Sequence, residues 1–133
     1  MNKIEHIGIA VRDIKEAEKK ISKLFQTSSY KQESVESEGV LTSFFKIGES
    51  KIELLAATNK NSPIQKFLDK KGEGIHHIAF EVDDIELEMK RLENEGFILL
   101  NDKPKQGADN KLVAFIHPKS TGGILIEICQ EKK

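Results

Sequence analysis

The chain has 133 residues, enough for one ordinary globular domain with a real core and too few for two large ones. Its 21 basic and 22 acidic side chains nearly cancel, so no net field draws in nucleic acid or an anionic membrane. Cys129 is the single cysteine, which excludes an internal disulfide and a multi-cysteine zinc cage; with no run long enough to span a membrane, a cytoplasmic protein whose mature form starts near Met1 is expected.

The first segment, Glu5 to Ile14, reads as a strand running into a helix. Ile7, Ile9 and Val11 alternate with His6, Gly8 and Ala10, and Asp13 stands where a side-chain oxygen caps a helix, with Glu16 three residues on as a capping box requires. That helix shows Ile14, Ala17, Ile21 and Leu24 at helical spacing. Three strands are then expected, roughly Ser29–Val35, Leu41–Ile47 and Lys51–Ala56, separated by Glu38-Gly39 and Gly48-Glu49. Ser62-Pro63 offers an N-cap followed by proline at the first helical position, opening a short connector helix that holds Ile64, Phe67 and Leu68 and is closed by Gly72 and Gly74. A second strand-to-helix run spans His76 to Ile85; Asp84 is its cap, Ile85, Met89 and Leu92 its stripe, and Gly96 its stop. Three further strands are expected at about Phe97–Leu100, Leu112–His117 and Ile124–Cys129, separated by Pro104, Gly107 and Gly122-Gly123.

The chain is therefore written twice. Glu5–Ile14 aligns with His76–Ile85 and sets His6 on His77, while Lys51–Leu55 aligns with Leu125–Cys129 and sets Glu53 on Glu127. Module one is expected over residues 1–58, a connector over 59–74 and module two over 75–133, in a single domain.

Strand alternation makes four polar residues stand out. His6, Glu53, His77 and Glu127 each sit between apolar neighbours that share the opposite face, and the same parity separates His77 from His76, which falls with Ile78 and Phe80. A lone histidine in a strand is usually a hydrogen-bonded structural residue, and a lone glutamate near a strand end usually points to water. Repetition of both in each module favours a ligand role. Burying such groups unpaired costs several kcal/mol by rough transfer estimates. Two imidazoles with two carboxylates suit Mn²⁺, Fe²⁺, Co²⁺, Ni²⁺ or Zn²⁺ and leave room for exchangeable waters.

The runs Ile4–Val11, Ser62-Pro63-Ile64, Gly72–Ile85 and His117–Glu127 resemble the methylmalonyl-CoA epimerase family of the vicinal oxygen chelate (glyoxalase and bleomycin-resistance) superfamily. The resemblance spans nearly the whole chain. It implies an α+β fold of two tandem βαβββ modules forming a cupped, incomplete barrel, usually dimeric. It also implies one divalent ion, cobalt first and Mn²⁺, Ni²⁺ or Zn²⁺ as alternatives, held by His6, Glu53, His77 and Glu127. The substrate class implied is a 2-carboxyacyl thioester of coenzyme A. Three departures are visible: the position of a second family carboxylate is Thr42 here, Asp109-Asn110 replaces a common histidine and glycine, and the stretch Phe25 to Ser29 lacks the usual Leu-Gly after the first helix.

Epimerisation at such a carbon needs one proton removed and one returned on the opposite face. Glu127 and Glu53, from pseudo-symmetric positions, are the candidate bases, and the resemblance implies Glu127 as base as well as ligand. The loop Lys119, Ser120, Thr121, Gly122 and Gly123 can hold the substrate carboxylate or thioester arm through backbone N–H groups, hydroxyls and the lysine; it reads equally well as a glycine-rich turn. Competing activities are a lactoylglutathione lyase (glyoxalase I) with the same chelation chemistry, a metal-free small-molecule binding protein on this scaffold, and a dioxygenase with two histidines and one carboxylate, for which Glu53 is surplus.

Overall fold

A computed structural model describes residues 1–132; Lys133, the end of the expected second module, lies outside the described residues. In chain order the elements are β1 (Lys3–Ala10), α1 (Ile14–Phe25), β2 (Lys31–Val35), β3 (Val40–Ile47), β4 (Ser50–Ala57), α2 (Pro63–Lys71), β5 (Gly74–Glu81), α3 (Ile85–Asn94), β6 (Lys105–Gln106), β7 (Lys111–Ile116) and β8 (Ile126–Glu131). The class is α+β, and strand, helix and three strands occur twice with α2 between them. By contacts the chain forms two compact units, Ile7–His76 on one hand and Met1–His6 with the chain from His77 onward on the other. β1 supplies residues to both.

In the Ile7–His76 unit, β3 pairs antiparallel with β2, from Lys31↔Phe44 to Val35↔Val40, and with β4, from Val40↔Ala57 to Ile47↔Ser50. The β3–β4 hairpin turns on two residues, and Gly48 takes the left-handed φ of 58° that such a turn needs. The Asp13 side chain caps α1 by accepting from the Lys15 and Glu16 amides. Ile14, Ala17 and Ile21 pack as the helical spacing predicts, against Val11, Phe45, Leu54 and Ala56. Leu24 does not; it is 70% exposed, and Phe25 closes the stripe instead, its ring centroid 6.3 Å from that of Phe45. At about 100° per residue Phe25 lies roughly 20° from Ile14 around the axis and Leu24 roughly 80°, so geometry selects the aromatic. The Ser62 hydroxyl and Pro63 start α2 as expected, and Ile64 and Leu68 bury against Ala10 and Leu55. The isoleucine face of β1 and β4 is the one that carries Ile9, Ile52 and Leu54. α1 covers that face, but α2 packs on the other, the parity that Leu55 shares with Glu53.

In the other unit β5 pairs parallel with β8 (Ile78↔Ile126 to Glu81↔Cys129), β8 antiparallel with β7, and β7 with the two-residue β6. Asp84 caps α3, whose Ile85, Met89 and Leu92 form a core with Val82, Ala114, Ile116 and Ile128. Phe97–Leu100 is not a strand. It touches β7 through one bridge, Leu99↔Ile116, after which the Asn101 side chain accepts from the Phe115 amide and takes the place of a ladder partner. Pro104, which has no N–H, ends the interruption, and pairing resumes only at Lys105. Before β7 the chain turns on Asp109 and Asn110, at φ 59° and 55°, conformations that Asp and Asn tolerate better than other non-glycine residues. Among the described residues no helix is long and apolar enough to cross a membrane.

Candidate metal centre

Alternation on three strands sets the site. β1 buries His6 with Gly8 and Ala10, β5 buries His77 with Ala79, and β8 buries Glu127 with Cys129. Strand pairing brings the last two together, because Ala79 stands opposite Glu127 on one side and Phe115 on the other. The alanine leaves space beside the carboxylate. Phe115 forms an apolar wall, its ring edge to face with that of His77 and 5.8 Å between centroids.

The functional atoms converge. His6 Nε2 lies 3.0 Å from His77 Nε2 and 3.6 Å from Glu127 Oε1, and His77 Nε2 lies 3.2 Å from the same oxygen. The imidazole rings meet edge to face, 5.1 Å between centroids at 86°. All three residues are buried, and one donor atom from each falls within 4.8 Å of the others. His76, by contrast, is half-buried and rests its ring on Phe67, 5.0 Å away.

Glu5 also belongs to the site, which the sequence did not suggest. Its Oε1 lies 2.8 Å from His6 Nδ1, and the carboxylate is only 3% exposed. The sequence held one signal, a glutamate directly beside a candidate ligand. Its parity pointed away from His6, and its counterpart in the second module is His76.

The donor chemistry fits a cation. A carboxylate only accepts, so Nδ1 of His6 donates to Glu5, and a neutral ring with its proton there presents a bare lone pair at Nε2. That lone pair faces the Nε2 of His77 and an oxygen of Glu127, three electron-rich atoms in a buried space. Either a shared proton or a positive ion must lie among them, and mixed nitrogen and oxygen donors suit a divalent transition metal. Burial pushes the Glu127 carboxyl up, but the His6 and His77 imidazoles beside it outweigh that and bring it down to about 2. Glu127 is therefore ionised at neutral pH.

The other predicted positions are placed as follows. Glu53 is buried on β4 in the Ile7–His76 unit, opposite Phe44. Thr42 is buried on β3 in that unit, between Leu55 and Glu33 on the flanking strands. The loop of Lys119 to Gly123 is largely bonded to itself. The Ser120 hydroxyl donates to the His117 carbonyl and accepts from the Ile98 amide, the Thr121 hydroxyl donates to the Pro118 and Ile124 carbonyls, and the Gly123 amide donates to Pro118. Those hydroxyls hold the turn, with Gly122 and Gly123 at φ 78° and 98°.

A buried set of imidazole and carboxylate donors on strands of a twice-repeated βαβββ pattern defines a class of proteins that assemble a metal-type site from repeated modules. The chain belongs to the Glyoxalase/Bleomycin resistance protein/Dioxygenase superfamily, whose sequence profile matches residues 5–115. It is 39% identical to an uncharacterised protein of Bacillus subtilis, over 99% of this chain and 94% of that one. It is 36% identical to the ethylmalonyl-CoA/methylmalonyl-CoA epimerase of Cereibacter sphaeroides, over 98% of both. Among solved structures, a Streptomyces coelicolor methylmalonyl-CoA epimerase variant in complex with 2-nitronate-propionyl-CoA superposes with a TM-score of 0.95 at 31% identity, covering 100% of this chain and 99% of that one.

Proposed function

We propose that this chain is a methylmalonyl-CoA epimerase, interconverting the (R) and (S) forms of that thioester by taking a proton from C2 and returning one to the opposite face. The observation that carries the reading is the convergence of His6 Nε2, His77 Nε2 and Glu127 Oε1 within 4.8 Å, in a chain similar to acyl-CoA epimerases over nearly its whole length. His6, His77 and Glu127 are assigned as ligands of one divalent ion, and Glu53, the duplicated counterpart of Glu127, as the fourth. Cobalt is proposed first, with Mn²⁺, Ni²⁺ and Zn²⁺ as alternatives.

When bound, such an ion supplies positive charge that stabilises the negative charge developing on the thioester oxygen as the C2 proton leaves. The rest falls to the chain's own groups. Glu127, ionised at neutral pH, is in the proton-accepting form that a base requires. Ala79 beside it leaves room for a substrate carbon, and Phe115 keeps water from that side. Glu53 is assigned the opposite proton transfer. Lys119 is the candidate in its loop for the thioester arm or the substrate carboxylate, because Ser120 and Thr121 are occupied within the turn. The protein is assigned as a homodimer, which sedimentation equilibrium tests.

The test is exchange of the C2 proton of methylmalonyl-CoA for deuterium, followed by NMR with and without chelator. Exchange abolished by chelator and restored by added Co²⁺ is expected. No exchange, with turnover of a glutathione hemithioacetal instead, overturns the epimerase reading in favour of a lactoylglutathione lyase.

A further inference from the structure

We infer that Glu5 is a positioning residue for His6: its carboxylate accepts the Nδ1 proton, fixes the tautomer of that ring and thereby aims the Nε2 lone pair at His77 and Glu127. This deepens the metal-centre reading and rests on it.

The geometry is specific. Glu5 Oε1 and His6 Nδ1 are 2.8 Å apart, and both side chains are almost completely buried. A carboxylate removed from water is costly unless strong partners hold it, so a buried glutamate next to a histidine is not an incidental surface charge. Because the two ring nitrogens lie on different edges of the imidazole, the bond at Nδ1 leaves Nε2 to the cluster, 3.0 Å from His77 and 3.6 Å from Glu127. Hydrogen bonding of a ring's far nitrogen to a carboxylate restricts rotation and raises the basicity of the nitrogen that faces the metal. The second module has no such device at the matching place, since His76 stands there with its ring on Phe67. The two halves of the site are thus chemically unequal in spite of their duplication.

The experiment compares wild type, Glu5→Ala, Glu5→Gln and His77→Ala. In metal-free protein, ¹⁵N NMR of the imidazoles reads the tautomer of His6; dissociation constants for Zn²⁺ and Co²⁺ come from competition with a chelating dye. Wild type is expected to hold His6 with its proton on Nδ1. Glu5→Ala is expected to release that tautomer and weaken both metals about 10–100-fold. Glu5→Gln retains a carbonyl acceptor but no charge, so the tautomer should persist with a smaller loss of affinity. An unchanged tautomer and unchanged affinity in Glu5→Ala overturn the assignment. If Glu5→Ala fails to fold, wild-type metal affinity in Glu5→Gln overturns it alone. Should wild type bind neither metal, or His77→Ala bind them equally well, the metal-centre reading fails, while the NMR comparison still decides whether Glu5 sets the His6 tautomer.

Discussion

Glu127 meets two demands that pull against each other. Burial on β8 takes it out of water, which disfavours charge, and the His6 and His77 rings beside it restore that charge. Glu127→Gln keeps the shape but removes the proposed base, and turnover is expected to fall by about 10²–10⁴-fold in the exchange assay with the fold intact by circular dichroism. A pH effect follows for metal-free protein. The folded-state value of about 2 lies below the ordinary 4.5, so the ionised carboxylate stabilises the fold fully above about pH 4.5, and that contribution is lost as pH falls towards 2. Urea denaturation between pH 6 and 2 should show wild type losing more stability on acidification than Glu127→Gln. His6, His77 and Glu127 were legible in the sequence because each recurs in the duplicated pattern. Glu5 was not, because it does not recur and because strand parity assigns it to the other face. A side chain long enough to reach its neighbour's ring defeats that parity.

Elements were read well where one local signal decided them and poorly where a neighbour did. The Asp13, Ser62 and Asp84 caps act as their positions imply, since a cap needs only the next turn of its own helix. Asp84→Ala should cost about 1 kcal/mol in chemical denaturation. The end of α1 went to Phe25 rather than Leu24, because both are apolar and only the sheet beneath discriminates between them. Phe25→Ala is therefore expected to destabilise by about 2 kcal/mol, whereas Leu24→Ala, at 70% exposure, should stay within about 0.5 kcal/mol. Phe97–Leu100 misled for a related reason. Its composition suits a strand, but pairing with β7 is cut short when Asn101 bonds the Phe115 amide. Gly107, just after β6, is required by packing. A Cβ there would sit 2.7 Å from a Val113 methyl, so Gly107→Ala should lower stability as it displaces the valine.

At the scale of the molecule, contacts do not partition the chain as the repeat does. Met1–His6 groups with the chain after His76, and Ile7 onward with the rest of the first module, so β1 is shared between the two compact units. His6 therefore meets His77 and Glu127 inside one unit, and a ligand there should stabilise that unit as a whole. Adding Co²⁺ or Zn²⁺ at about 100 times its dissociation constant is expected to contribute about 2.7 kcal/mol and raise the melting temperature by several degrees, reversibly with chelator. The shift should vanish in His77→Ala.

The sequence by itself determined the duplication, the α+β class, the helix caps and which face of each strand carries a polar residue, because these depend on alternation and repetition along the chain. Only the tertiary structure decided that His6 and His77, 71 positions apart, come within 3.0 Å, that Ala79 and Phe115 flank Glu127, and that Glu5 turns onto His6. Those facts depend on which strands pair and in what register, and no local preference specifies a partner that the chain reaches only after folding.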